Sequence, residues 1–408
     1  MSEPDTHTMQ NRSYKYRLRP SRSQAMMFDE MLRDFCDLYN AALQQRIEAY
    51  RRRGISLHFA AQSNEIKACR MDDPSGIGRW SFTAAVQVLR RLDQTYTAFF
   101  KRGHGFPRFR ASARYHAATF RVGDGFTLKK DRRVGVVGVP GGIKVRWHRD
   151  LPPGAKLGTA ILTRQNGKWF VILSVKTEFA ETCGTGSVGI DLGLNALIAT
   201  SDGDTVEAPR FARKGQAAQR RRQRALARCK IGSKRRLKAK VRLAAGSAKI
   251  ANQRRDFAHK LSRSLVSRYG TIAFEDLNMA GLKRGMLARS VHDAAWSQLV
   301  QFTTYKAESA NGSVVLVDPR GTSQTCPLCG MIKAKTLRTR THACECGAVL
   351  DRDVAAAMIV HQRAFGPGHG LRSLSQRNAA QLDREAACFS GRSCHTPTRR
   401  LRGGQEHG

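Results

Sequence analysis

Two acidic residues stand where the surrounding pattern asks for apolar ones. Asp191 interrupts SVGIDLG and Glu275 interrupts IAFEDL. A lone carboxylate buried in such a run is costly unless something compensates for its lost hydration. Mg²⁺ is bound by hard oxygen ligands of this kind. The glycine two residues after Asp191 lets a phosphate backbone approach closely. Either acid alone is explained by a structural ion pair. Both together, at strand edges of a strongly basic chain, point to a site. The third acid comes from Asp351-Arg352-Asp353, which opens the helix VAAAMIVHQ. Asp351 is placed to cap that helix by accepting backbone N–H groups. Asp353 falls in the first turn, where its carboxylate can face the same cleft. The plainer alternative is that both acids only cap the helix and favour its dipole.

A second constellation precedes that helix. Cys326-Pro-Leu-Cys329 is a knuckle with the usual two-residue gap, and Cys344-Glu-Cys346 follows with Gly347 behind it. Four thiolates in two close pairs are what tetrahedral Zn²⁺ requires. The one-residue gap of the second pair bends its turn more tightly, which leaves His342 as an alternative fourth ligand in place of Cys344. A zinc ribbon by itself is structural and implies no catalysis.

The charge limits the choice of partner. In 408 residues, Lys+Arg number 71 against 32 Asp+Glu, a net charge of +39. A small-molecule enzyme has no use for that excess, whereas polyphosphate backbones do. With 41% hydrophobic residues the chain can bury real cores, and its length suggests two or three domains. No apolar run approaches the roughly 18 residues of a spanning helix, and the opening MSEPDTHTMQNR does not read as a secretory signal. Of ten cysteines, four cluster between 326 and 346, which fits a reducing compartment and a metal site better than a disulfide framework.

The elements that must position these residues can be read from periodicity. Tyr14–Leu18 alternates as a strand. From Ser21 a helix begins, with Met27, Met31, Phe35, Leu38 and Leu43 on one side, and Thr83–Phe100 reads as a second, stopped by Gly103 and Gly105. TAILTRQNGKWFVILSVKTE is a hairpin about Asn166-Gly167. GVVGVPGG resembles a phosphate loop but has no following helix and no Lys-Ser or Lys-Thr, so it reads as turns between strands. SVGIDLGLNALIAT forms two apolar strands. Ala208–Arg255 holds 18 Lys/Arg and no acid. A disordered basic arm is one reading of it, but Leu226, Leu237, Leu243 and Ile250 favour a long basic helical pair. TIAFEDL is then a strand, VHDAAWSQLVQFTTYKAESANG a helix and SVVLVDP a buried strand. The segment after Gly366 has no periodicity and is expected to be disordered.

These motifs together carry a family resemblance. GIDLGLNALIATSDG, IAFEDLNMAGL, VDPRGTSQTCPLCG and CGAVLDRDVAAA, with FFKRGHGFPRFR and RRDFAHKLSRSLVSRYG, are similar to the TnpB (OrfB-type) proteins of bacterial insertion sequences, relatives of the type V CRISPR effectors. The match spans roughly residues 12 to 365. It implies an α/β fold, a RuvC-type (RNase H-like) nuclease over 186–318 and 349–366 with a zinc ribbon inserted at 319–348. It also implies a β-barrel-like wedge over 11–20 and 107–180, a helical recognition domain over 21–106 and a basic tail over 367–408. By this resemblance Asp191, Glu275 and Asp353 are the catalytic acids and hold two Mg²⁺ or Mn²⁺ ions, and Cys326, Cys329, Cys344 and Cys346 hold one structural Zn²⁺. The implied partners are a guide RNA from the transposon end and double-stranded target DNA, cut beside a short element-adjacent motif. A cytoplasmic, nucleoid-associated monomer with no membrane partner is expected. The basic block suits a nucleic-acid channel, with Arg220, Arg221, Arg222, Arg224, Lys234, Arg235, Arg236 and Lys238 as its contacts. One departure is visible: Ala355 stands where the family usually has Asn. Two alternatives follow, a guided DNA-binding repressor that does not cut and a transposase proper. The transposase reading lacks the His-hydrophobic-His pair of a tyrosine-dependent strand transferase.

Overall fold

The structure is a computed structural model that describes residues 10–177, 182–278, 294–335 and 339–366. The tail expected to be disordered and the first residues of the helix expected from Val291 lie outside them. The chain divides into two compact units, Asn11–Thr177 and Glu178–Asn378.

In the first unit, strand β1 (Gln10–Arg19) leads into helix α1 (Arg22–Arg53). Ser21 starts that helix with a capping box shared with Gln24, and Gly54, at φ 65°, ends it. Helix α2 (Phe59–Asp72) was not legible in the periodicity, since it buries only Gln62 and Ile66. Helix α3 (Phe82–Arg102) closes on Gly103 at φ 64°, as its sequence predicts. Six more strands follow: β2 (Ala117–Val122), β3 (Gly125–Leu128), β4 (Val134–Val136), β5 (Val139–Arg146), β6 (Lys156–Gln165) and β7 (Lys168–Thr177). With β1 they close a barrel in the order β1-β5-β4-β3-β2-β6-β7. Closure removes the sheet edges. The glycine-rich stretch at 135–142 joins and forms β4 and β5, so it is strand and turn. Asn166 and Gly167 both have positive φ, the requirement of a two-residue hairpin turn between β6 and β7. Trp169, Val171, Leu173 and Val175 of β7 point inward by simple alternation and join Phe28, Phe35 and Leu89 of the helices in one core.

The second unit is built on a five-stranded sheet. Its strands are β8 (Ser187–Asp191), β9 (Ala196–Thr200), β10 (Thr205–Glu207), β11 (Thr271–Glu275) and β12 (Ser313–Val317), in the order β10-β9-β8-β11-β12. β8, β11 and β12 run parallel, and β9 and β10 run antiparallel to their neighbours. Between β10 and β11 lie helices α4 (Phe211–Ala227) and α5 (Lys234–Arg268), so the basic block is a helical pair. Helix α6 (Trp296–Ser309) precedes β12, and α7 (Arg352–Phe365) ends the described chain. Val188 and Ile190 of β8 and Ile272 and Phe274 of β11 pack with Leu265, Val266, Trp296 and Leu299 of α5 and α6. Ala273, Val317, Val360 and Ala364 form a smaller core on the α7 side. SVVLVDP was expected to be buried, but β12 is the sheet's edge and only Val317 is fully covered.

Candidate active site and cysteine knot

The period of two along a strand decides where the acids point. With Val188 and Ile190 on one face of β8, Ser187, Gly189 and Asp191 face the other. Ser187 Oγ lies 2.8 Å from His361 Nε2 of α7, which fixes that face as the one α7 covers. On β11 the same parity sends Ala273 and Glu275 to the α7 side. β8 and β11 are adjacent and parallel in register, Ile190 opposite Phe274, so Asp191 and Glu275 end neighbouring strands at the same level. The C-terminal ends of parallel strands are where open α/β sheets bind ligands.

Helix α7 supplies the third acid. Asp351 accepts the backbone N–H groups of Asp353 and Val354 at 2.8 and 3.2 Å and is the N-cap. That leaves the Asp353 side chain free to line one cavity of about 1150 Å³ together with Asp191 and Glu275. Gly189 lets the helix come this close. A Cβ there would lie 2.3 Å from the Ala357 carbonyl oxygen and 2.4 Å from the His361 nitrogen. Ala355, the position that departs from the resemblance, is buried and offers no ligand atom.

Burial and mutual repulsion both act against ionisation at this site. Burial pushes Asp191 well above the usual carboxylate range, and the charges of Glu275 and Asp353 add to the shift. Glu275 is raised by burial, and the Thr322 hydroxyl and Arg363 oppose the rise. Asp353 is raised by burial and by Asp351, with Arg340 and Arg352 pulling the other way. Three hard oxygen donors whose charges the nearby arginines and Thr322 offset only in part are the donor type that a divalent cation such as Mg²⁺ takes.

The cavity wall facing the acids is basic and polar. Arg213, Gln216, Gln219 and Arg220 line it from α4, Arg210 from the residue that caps α4, Arg340 from just before Thr341, and Arg352 from the first position of α7. Of the eight predicted nucleic-acid contacts only Arg220 lines this cavity. Arg221, Arg224, Lys234, Arg235 and Lys238 are exposed elsewhere on the pair. Arg222 reaches across to Gly246 of α5. Arg236 donates to the Leu226 and Cys229 carbonyls at 3.2 and 3.1 Å and so closes the end of α4. Sequence reasoning missed Arg340, Arg352 and Thr322. Arg352 had a visible signal, since it separates two acids; the other two had none.

The four cysteines converge. Their sulfurs lie within 4.8 Å of one another, with Cys326 and Cys346 3.7 Å apart and Cys329 and Cys344 3.5 Å apart. Each pair is carried on a tight turn that ends in a glycine of positive φ, Gly330 and Gly347. Burial raises the Cys326 thiol, but the Cys329 backbone N–H and the His342 ring outweigh it and bring it to about 5. For Cys329 the Met331 backbone pulls down, while the thiols of Cys344 and Cys346 hold it up near about 12. Thiols this close cannot all ionise without a cation, and a set of four soft sulfurs fits a metal such as zinc. His342 is fully buried, with Nδ1 against the Lys335 ammonium. Strands β13 (Thr341–Ala343) and β14 (Val349–Asp351) pair antiparallel and deliver the chain from the knot into α7.

Comparison with known proteins places this geometry in context. A family model described as "Probable transposase" matches residues 170–286, one described as "Cas12f1-like, TNB domain" matches 296–360, and one described as "Helix-turn-helix domain" matches 9–54. In this chain the last of these segments is β1 followed by one long helix. A putative RNA-guided DNA endonuclease of Streptomyces pristinaespiralis is 33% identical over 393 residues, 92% of this chain and 95% of that one. The putative RNA-guided DNA endonuclease InsQ of Escherichia coli (strain K12) is 28% identical over 60% of this chain and 64% of its own length. The fold is similar to that in a Cas12f1–sgRNA–target DNA complex, with a TM-score of 0.56 at 13% identity, covering 84% of this chain and 83% of that one.

Proposed function

This chain belongs to the TnpB (OrfB-type) family of transposon-encoded RNA-guided endonucleases, and from that premise we propose that it is an RNA-guided, Mg²⁺-dependent DNA endonuclease. The observation that carries the reading is the convergence of Asp191, Glu275 and Asp353, from two strand ends and a helix N-terminus, in one cavity with a basic wall. The RuvC-type description of the second unit rests on the family and on the sheet order with its parallel centre.

In this reading the three carboxylates hold the metal. The chemistry Mg²⁺ would supply there is activation of water for attack on the phosphodiester and stabilisation of the leaving 3′ oxygen. The rest of the work belongs to the chain. Asp191, which burial and both other acids hold above its ordinary range, is the residue whose charge most needs a cation. Arg340 and Arg352 sit beside the acids and offer guanidinium donors to a phosphate that the carboxylates alone would repel. Arg210, Arg213 and Arg220 extend that wall along α4 towards the flanking backbone. Cys326, Cys329, Cys344 and Cys346 hold a structural Zn²⁺ that fixes where α7 begins. Base pairing with a guide RNA supplies sequence choice, and the protein reads duplex shape and a short adjacent motif.

The test is direct. The full-length protein purified with its RNA should cut a matched duplex in Mg²⁺ and stop cutting in EDTA, and Asp191→Ala should bind but not cut. Binding without cleavage by the unmutated protein would favour the repressor reading, which Ala355 motivates by removing an amide beside the site. A covalent protein–DNA adduct would instead favour a transposase. Sequencing the co-purified RNA should give one species with a constant scaffold; random fragments would reject the guided reading.

A further inference from the structure

The Glu275 carboxylate has a partner that metal chemistry alone does not require. It lies at the end of β11, 8% exposed, and its Oε1 accepts a hydrogen bond from Thr322 Oγ1 at 2.5 Å. Thr322 is itself 4% exposed, and its hydroxyl also lies 3.1 Å from the Pro319 carbonyl oxygen. A hydroxyl has one hydrogen, and the shorter contact to a charged acceptor takes it.

The turn that carries Thr322 is held on both sides. Asp318 accepts the Arg320 N–H at 3.1 Å as the chain leaves β12. Gly321, at φ 73°, accepts the N–H groups of Gln324 and Thr325 at 3.0 Å and the Thr325 hydroxyl at 2.9 Å. Cys326 is the next residue. From the other side Lys335 Nζ donates to the Ser323 carbonyl at 3.2 Å and also contacts Nδ1 of the buried His342, which lies two residues before Cys344. One polar chain therefore runs from Glu275 through Thr322 and the Ser323 carbonyl to Lys335 and the cysteine knot.

We infer that Thr322 is a positioning residue for Glu275: its hydroxyl holds the carboxylate in the rotamer that binds metal, and the cysteine knot holds Thr322. The inference rests on Glu275 being a metal ligand, as proposed above. A carboxylate without this donor keeps its charge but loses its fixed direction, and partners of this kind are worth about 10–100-fold in metal affinity.

The test uses the full-length chain as wild type, Thr322→Val, Thr322→Ser and Glu275→Gln. Two readouts are taken: Mn²⁺ affinity of the RNA-free protein by electron paramagnetic resonance, and the Mg²⁺ concentration for half-maximal cleavage by the guided complex. Zinc content and target binding are the controls. Thr322→Val, which keeps the shape and removes the donor, should weaken Mn²⁺ binding and raise the half-maximal Mg²⁺ by about tenfold or more, with both controls unchanged. Thr322→Ser should return both to near wild type. Wild-type metal dependence in Thr322→Val would overturn the inference. So would a Thr322→Ser protein as impaired as Thr322→Val, because packing of the methyl would then be the cause. Glu275→Gln separates the two readings: unchanged Mn²⁺ affinity there would remove the metal site itself and the inference with it.

Discussion

Asp191 carries the sharpest conflict between folding and function. Its carboxyl is held well above the usual range by burial and by two neighbouring acids. The folded chain then keeps a proton that the unfolded chain releases, so the contribution of Asp191 to metal-free stability is greatest below the unfolded carboxylate value of about 3.9. It falls as pH rises through the raised value. Asp191→Asn should abolish cleavage and raise the melting temperature of the metal-free protein at neutral pH, and the gain should shrink towards pH 4. A variant that melts lower at neutral pH would contradict this account. Mg²⁺ should stabilise the wild type and leave the variant nearly unchanged, a difference that thermal melts in EDTA and in Mg²⁺ would read. Asp191 and Glu275 stood out in the sequence because each breaks an apolar pattern. Asp351 and Asp353 differ in the sequence only in that one precedes the helix and the other lies in its first turn, and it was the family resemblance that selected Asp353. Thr322 was invisible, since a threonine in a polar turn signals nothing until the fold brings Glu275 to it.

At the level of elements, the approach of α7 to β8 leaves no room for a side chain at Gly189. Substituting Gly189 by Ala puts a methyl against backbone atoms that cannot rotate away. The helix must shift, at a cost of about 1–3 kcal/mol, and Asp353 shifts with it. Gly189→Ala should therefore lose stability in urea and lose cleavage together, while zinc content stays the same. On the basic pair, Arg236→Ala should lower stability by about 1 kcal/mol because it uncaps α4, whereas Arg221→Ala should not. The elements that read well from sequence have local causes: the Asn166-Gly167 turn, the Ser21 cap and the glycines that end α1 and α3. Those that misled have tertiary ones. α2 leans on its neighbours with one polar and one apolar residue, and β12 is half-exposed because nothing described lies beyond the sheet's edge.

For the whole molecule, a net charge of +39 makes affinity for nucleic acid a function of salt. Replacing Arg221, Arg224, Arg235 and Lys238 by Ala should weaken binding by a similar factor for all sequences. Each group that meets a phosphate should flatten the log–log salt slope by roughly 0.7–0.9. An unchanged slope in filter binding would remove the exposed part of α4–α5 from the interface. Charge and the cysteine pairs pointed to polyphosphate partners and a metal site from composition and spacing, and the resemblance carried the nuclease reading, but no sequence rule says which arginines turn inward. The parity of β8 and the arrival of α7 have a further consequence, in time. The three acids sit at positions 191, 275 and 353, and the helix that both covers β8 and brings the last of them ends at Phe365. Until the ribosome has released that helix, the nascent chain lacks the cover that α7 gives β8 and holds two of the three carboxylates. A chain stopped before Arg352 should bind neither Mn²⁺ nor cut DNA. On the proposed function, the order of synthesis keeps the site incomplete until α7 is made.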